Sequence, residues 1–449
     1  MFRSFAGGLL LVSVAALCFP DVAKSQDEPP QGTPGAASML ATRRFLFVVH
    51  DGVLHQFDIN TLKLLRSVRL GAEPSAPVAE PPPREPVAVA PVRRPAARAE
   101  PEVNVSPAAM TKVAANAVAW LVRHQDEDGR WDAEGFMKHD KEGAACDGAG
   151  NPTYDVGVTG LGLLALLAEG NTVRAGQYRE NVLRAVRWLQ EQQQENGLFG
   201  TNAGADFIYG HAIATYAMCE AYGLSDHRPI KPVAQKGLDY IASHRNPYGV
   251  WRYQPRDNDN DSSVTTWCVL ACASGNFFGL QVDPAALKAA SVWFDSVTGP
   301  DGHAGYLKVG DLSSRRAGAE KRFPPELGEA MTAAALLCRY SLGRTPEQSA
   351  VMELSANLLA SKPPCWDQAQ GSIDEYYWYF GTKALWHAGG RQWAEWQRKL
   401  GDALIKTQRR DGNFAGSWDP VGVWGETGGR LYTTALLALA AQTAGRARR

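Results

Sequence analysis

The chain has 449 residues, 46 Lys and Arg against 47 Asp and Glu, and 45% hydrophobic side chains. That length supports a large core without covalent staples. The balanced charge leaves no basic footprint for a nucleic-acid partner.

Residues 1–25 place Arg3 ahead of the apolar run Leu9–Leu17 and end in the small residues Ala23 and Ser25. This is the pattern of an export signal peptide, too short to span a membrane. An uncleaved anchor is the alternative. Export implies a secreted, periplasmic or cell-envelope location. No later stretch reads as a transmembrane span. Residues 40–70 alternate apolar and polar side chains around Asp51-Gly52 and Asn60-Thr61. That predicts a small β-meander, similar to one propeller blade. A lone blade cannot bury its faces, so it is expected to pack on the rest of the chain, pair with a protein partner's sheet edge, or be a degenerate remnant. Residues 71–106 are rich in Pro, Ala, Glu and Arg and lack periodicity, which predicts an extended linker.

Residues 107–446 repeat one pattern six times: an amphipathic segment, a polar turn, then a nearly all-apolar segment. The turns read His124-Gln-Asp-Glu-Asp-Gly-Arg-Trp131, Gln194-Glu-Asn-Gly-Leu-Phe199, His244-Arg-Asn-Pro-Tyr-Gly-Val-Trp251, Gly299-Pro-Asp-Gly-His-Ala-Gly-Tyr306 and Gln408-Arg-Arg-Asp-Gly-Asn-Phe414. A degenerate copy lies at Lys362-Pro-Pro-Cys-Trp-Asp367. Before the first turn, Val113, Ala117, Trp120, Leu121 and His124 share one helical face. After it, Val156–Ala168 is apolar nearly all round, as are Val264–Ala273, Ala330–Leu337 and Leu431–Ala441. Such segments belong to helices buried on every side. An outer helix paired with an inner one, repeated, predicts an all-α fold: an α/α toroid of about six hairpins.

The turns resemble the QW repeats of squalene–hopene cyclases and of the wider prenyltransferase/squalene-oxidase repeat family, over residues 107–446. The resemblance implies a ring of inner helices whose N-terminal ends line a central, partly apolar cavity. Squalene–hopene cyclases carry Asp-x-Asp-Asp ahead of an apolar stretch with Trp. Matched on Trp267, the last acid falls on Asp261 and the other two on Asn258 and Asn260. The family's proton donor is the middle acid, and the amide of Asn260 cannot protonate an alkene. Protein prenyltransferases, similar in fold, hold zinc with an Asp, a Cys two residues later and a distant His. Here Ser263 follows Asp261 and Tyr376 follows Asp374, so no metal of that type is expected.

Helix capping is the plain alternative for Asp261. A third reading is a loose Ca²⁺ loop through Asp257, Asp259 and Asp261. Ser262 and Cys268 at the sixth and twelfth loop positions exclude an EF-hand. No other cofactor is expected. Of the seven cysteines, Cys219, Cys268, Cys272 and Cys338 fall in inner helices as small buried hydrophobes. Cys146 and Cys365 lie in loops, where they could pair.

The inner-helix starts are expected to converge on one rim. They bring Asp155, His211, Asp261, Glu329, Asp374 and Arg430 together with Tyr154, Tyr209, Tyr377, Trp378 and Tyr432. Asp261, Glu329 and Asp374 are the catalytic candidates. Asp155, Tyr209, His211, Tyr377 and Arg430 join them as ligand-binding candidates. Each has an ordinary alternative: an acid as helix cap, His211 as a hydrogen-bonded core histidine, Arg430 as half of an ion pair. Three functions remain: binding an apolar, isoprenoid-like or peptide ligand; a carbohydrate-active lyase or hydrolase with paired carboxylates; or a non-catalytic extracellular interaction scaffold. What lines the ring decides between them.

Overall fold

The computed structural model describes four strands between residues 38 and 69 and residues 105–446, apart from 203, 205 and 313–317. The signal-like segment 1–25 and the linker residues 71–104 lie outside the described residues. The chain divides into two units, Met1–Ala97 and Arg98–Arg449. In the first, β1 (Ser38–Ala41), β2 (Phe45–His50), β3 (Val53–Asp58) and β4 (Leu64–Arg69) form an antiparallel sheet in chain order. Ser38 pairs with Val49, Val48 with His55, and Leu54 with Val68, with an irregularity at Gln56/Phe57.

The second unit holds twelve helices among the described residues. The outer set is α1 (Pro107–Arg123), α3 (Arg179–Glu191), α5 (Ile230–His244), α7 (Pro284–Ser296), α9 (Val351–Ser361) and α11 (Gly390–Thr407). The inner set is α2 (Asp155–Ala168), α4 (Phe207–Ser225), α6 (Ser262–Phe277), α8 (Ala330–Ser341), α10 (Glu375–Ala388) and α12 (Gly425–Gly445). Each inner helix packs on the next, and α12 packs on α2, which closes the ring. The outer helices are amphipathic: α3 buries Val182, Val186 and Leu189 and leaves Arg187 in water. The inner helices are buried nearly all round, as closure requires. Gly157 lets α2 and α4 meet closely, since a Cβ there would lie 3.2 Å from the Gly210 Cα. None of the described helices is long and apolar enough to cross a membrane.

The polar turns are the ties of this ring. Gln125 Nε2 donates to Gly129 O in its own turn (2.8 Å) and to Asn181 O on α3 (3.0 Å). Gln193 does the same for Gly197 O and Val233 O on α5. Gln408, in the last turn, donates to Gly416 O (3.0 Å) and to Val113 O on α1 (2.9 Å). The strap between successive outer helices thus also joins the end of the ring to its beginning. The turn tryptophans fasten each hairpin from within: Trp131 Nε1 donates to Leu121 O, Trp251 Nε1 to Ile241 O and Trp418 Nε1 to Leu404 O. Gly416 has φ +104° and its hydrogen faces Asn116 O of α1, where a Cβ would stand 2.3 Å away. Only glycine fits there.

Replacing Gln408 by Ala leaves two buried carbonyls without their donor. Gln408→Ala is expected to destabilise the helical unit by about 2–4 kcal/mol, read as a lower thermal midpoint. An unchanged midpoint would show that the seam does not rely on this strap.

Candidate functional site

The first turns of all six inner helices surround one cavity of about 220 Å³. Its wall carries eight aromatic side chains: Tyr154, Tyr209, Tyr253, Trp267, Tyr306, Tyr376, Trp424 and Tyr432. Gly157, Val158, Leu161, Ile213 and Met331 fill the gaps between them. The polar groups on the wall are mostly tied to one another. Tyr154 donates to Asp206 (2.5 Å), the Tyr253 and Tyr306 hydroxyls share a hydrogen bond (2.7 Å), and Ser263 bonds the Tyr376 hydroxyl (2.9 Å). The ring is plugged beyond this cavity. Trp267 stacks on Tyr379 across the centre, with centroids 5.8 Å apart and planes 11° apart, and meets Phe380 edge-on. Further along, Lys383 of α10 donates to the Tyr216 hydroxyl of α4 (3.2 Å) and lies over both the Tyr216 and Tyr379 rings.

Of the ligand-binding candidates taken from sequence, Tyr209 lines the cavity; Tyr154 and Tyr432, expected on the same rim, line it too. The acids and Arg430 face elsewhere. Asp261 caps α6 through Val264 N (2.7 Å) and accepts from the Tyr306 hydroxyl (2.9 Å), one step behind the wall. Asp374 caps α10 through Tyr377 N (2.9 Å). Asp155 accepts from Ala133 N (2.9 Å) and pairs with Arg130. Glu329 is held by Lys362 (2.6 Å) and Thr332 (2.8 Å). Tyr377 donates to Lys362 O (2.9 Å). Arg430 is fully buried and pairs with Asp147 and Asp419.

His211 stands where other repeats place a threonine. In four repeats the backbone N–H of the turn anchor donates to a threonine near the start of the inner helix: Trp131 to Thr159, Trp251 to Thr265, Ala304 to Thr332 and Trp418 to Thr434. In the second repeat Phe199 N donates to His211 Nδ1 (3.1 Å), and Nε2 turns to Gly237 O. Burial pulls the imidazole pKa down to about 3, so it stays neutral.

These positions share one register. Asp155, Asp261 and Arg430 lie four residues before Thr159, Thr265 and Thr434, hence on the same helix face, toward the turns. Two residues after them come Gly157, Ser263 and Tyr432, roughly opposite on the helix and facing the cavity. Asp374 and Tyr376 repeat the spacing. These acids therefore stand at the start of each helix on the face toward the turns and caps, not on the face toward the cavity. Tyr253, Tyr306 and Tyr376 were missed as wall residues. Tyr253 and Tyr306 each stand two residues beyond a turn anchor, Trp251 and Ala304, and that shared offset was the available signal.

Asp257, Asp259 and Asp261 do not converge on a cation: Asp259 is exposed beside Arg252, while Asp261 is buried on its cap. Asn260 accepts from Val250 N (2.7 Å) and takes no part in the wall. Cys146 and Cys365 are both free thiols, one buried and one exposed.

No family model matches this sequence, and no curated relative does. Solved structures do match, over about three quarters of the chain. The type II terpene cyclase MstE from Scytonema is 13% identical, with a TM-score of 0.50, covering 76% of this chain and 99% of that one. A novel alpha-amylase from Clostridium perfringens is 12% identical at a TM-score of 0.49, covering 74% and 97%. The GH76A alpha-1,6-mannanase from Salegentibacter is 12% identical at 0.48, covering 75% and 99%. The likeness to the cyclase concerns the helical fold alone.

Burial pushes the Asp155 and Asp261 carboxyls up to about 6, and burial together with Asp374 pushes Glu375 up to about 7. A raised folded-state value means protonation favours the fold. That stability is complete below the unfolded value and is lost as pH rises through the folded one. For Glu375 the window runs from its ordinary value of 4.5 to about 7. Glu375→Gln should therefore shrink the stability difference between acidic and mildly alkaline buffer, by up to about 3 kcal/mol. Denaturant titrations of both proteins across that range measure it. Parallel pH curves would show that Glu375 titrates normally.

Proposed function

We propose that this chain binds an apolar, isoprenoid-like ligand in the tyrosine-walled cavity at the N-terminal end of the inner ring. The observation that carries this reading is the composition of the wall. Eight aromatic rings and a set of aliphatic side chains supply dispersion and apolar burial on every side. The hydroxyls mostly satisfy one another, so the wall presents ring faces and edges more than free donors. Electron-rich ring faces would also favour a ligand that carries positive charge. Export through residues 1–25 would put this binding outside the cytoplasm.

A glycosidase needs two carboxyl groups flanking the scissile bond. Asp206 is the carboxylate on the described wall, and Tyr154 occupies it. The scaffold reading is weakened by the cavity itself, since a plain tie between partners needs no hollow centre.

Tryptophan fluorescence tests the proposal, because Trp267 and Trp424 lie on the wall. Farnesol or geranylgeraniol is expected to change the emission saturably, and an α-mannan oligosaccharide to leave it unchanged. Tyr209→Ala should weaken isoprenoid binding roughly tenfold through lost ring contact. Saturable binding of the oligosaccharide alone, or isoprenoid binding indifferent to Tyr209→Ala, would overturn the proposal.

Catalysis of the squalene–hopene type is not part of it. Asn260 is tied to Val250 N, and Asp259 points to solvent. Incubation with squalene is expected to yield no cyclised product by chromatography. Hopene-like products lost in Asp259→Asn would show that Asp259 reaches the cavity as an acid.

A further inference from the structure

A second site lies at the seam of the ring, in the segment between α1 and α2. His124 closes α1, and its ring is clamped between Trp120, stacked at 4.1 Å, and Phe136. Its Nδ1 is 2.8 Å from Trp120 O. A carbonyl can only accept, so Nδ1 carries the proton and Nε2 of the neutral ring offers a lone pair. That lone pair faces Asp140 Oδ1 at 3.1 Å. Two acceptors at this distance need a cation or a shared proton between them. The other carboxylate oxygen is fixed by Cys146 N at 2.6 Å, and a His124 nitrogen, an Asp140 oxygen and the Cys146 sulfur all lie within 4.8 Å of one another. His124 and Cys146 are buried. Among the described residues this is the one such gathering of His, Cys and carboxylate ligands.

We propose that His124 Nε2, Asp140 Oδ1 and Cys146 Sγ bind one Zn²⁺ ion, with a fourth tetrahedral position left to water. The donor set is the mixed nitrogen, oxygen and sulfur set that zinc takes, and the 3.1 Å between His124 Nε2 and Asp140 Oδ1 is close to the separation of two neighbouring donors on one tetrahedral ion. Charge balances as well: a thiolate and a carboxylate offset the dication, and the imidazole stays neutral. On binding, the Cys146 S–H bond breaks, a sulfur–zinc bond forms, and the proton leaves to solvent. The hydrogen bond from Nδ1 to a backbone carbonyl is the outer contact that orients a metal-bound histidine.

The site is preorganised from the far end of the chain. Asn413, in the last turn, accepts from Lys141 N (2.9 Å) and donates to Lys141 O and Ala144 O. Its own carbonyl accepts from Trp120 Nε1 (2.8 Å). The Asp140–Cys146 loop is thereby held between the first outer helix and the last turn. Zinc would cross-link that loop to α1 and so reinforce ring closure. The site is separate from the tyrosine-walled cavity and does not depend on what that cavity binds.

Cobalt substitution tests this on the full chain. After chelation and dialysis, Co²⁺ is expected to bind one ion per chain, with a thiolate-to-cobalt charge-transfer band and the intense visible bands of a tetrahedral ion. The charge-transfer band should vanish in Cys146→Ser and persist in Cys365→Ser. Zinc should also raise the thermal midpoint of the wild type and not of His124→Ala. Alkylation provides a check that needs no variant: Zn²⁺ should slow labelling of Cys146, read by peptide mass mapping, and chelator should restore it. Absence of cobalt binding, a charge-transfer band retained in Cys146→Ser, or labelling of Cys146 indifferent to zinc would each overturn the proposal.

Discussion

The ring depends on one hydrogen-bonding device, the glutamine amide that bridges a turn to the next outer helix. A side-chain amide can donate twice, and Gln125, Gln193 and Gln408 each give one bond to their own turn and one across. Buried carbonyls that would otherwise lose water are satisfied by these contacts. Because the same strap recurs at the same place in three of the hairpins, those hairpins assume similar positions relative to the next. Once the last strap reaches α1, no outer edge is left open. The inner helices then have neighbours on both sides and a centre to fill, and their all-round apolar surfaces follow.

Closure in this form makes the inner helices parallel, and their N-terminal ends gather at one opening. That end concentrates unpaired N–H groups and partial positive charge. The structure answers them locally: Asp261 and Asp374 bond the first N–H groups of their own helices. Charge is consumed at the helix ends, so the wall of the cavity is left to aromatic rings. At the opposite end the same parallel arrangement offers carbonyls, and there Gln442 donates to Ala165 O of α2.

Much of this was legible in sequence. The Gly-rich turns and the switch from amphipathic to all-apolar segments gave the hairpins, and Trp and Gln at the turns marked the ties. The site was less legible, for a definite physical reason. An acid at a helix start looks alike in sequence whether it caps the helix or faces a ligand, and two residues of offset separate those roles. Asp261 and Ser263 illustrate it: the first faces the turn, the second the cavity. Likewise the wall is assembled from single tyrosines drawn from separate segments: Tyr253 and Tyr306 share an offset from their turn anchors, while Tyr376 comes from a helix start with no such anchor. The His124, Asp140 and Cys146 group was hidden differently. His124 belongs to a recognisable turn, but Asp140 and Cys146 lie in an aperiodic insertion, where spacing carries no information about proximity.

The same register separates two kinds of residue on one helix. Positions such as Thr159, Thr265 and Thr434, and the residues one turn before them, hold the turns and therefore the ring. Positions two residues away hold no turn; Ser263, Tyr376 and Tyr432 line the hollow. Substitution at the first set acts on stability through unsatisfied buried groups. Substitution at the second changes the volume and chemistry offered to a ligand while the straps remain in place. A ring built this way can carry different cavity linings on the same closure, which is why the fold alone does not identify the ligand and the wall residues must.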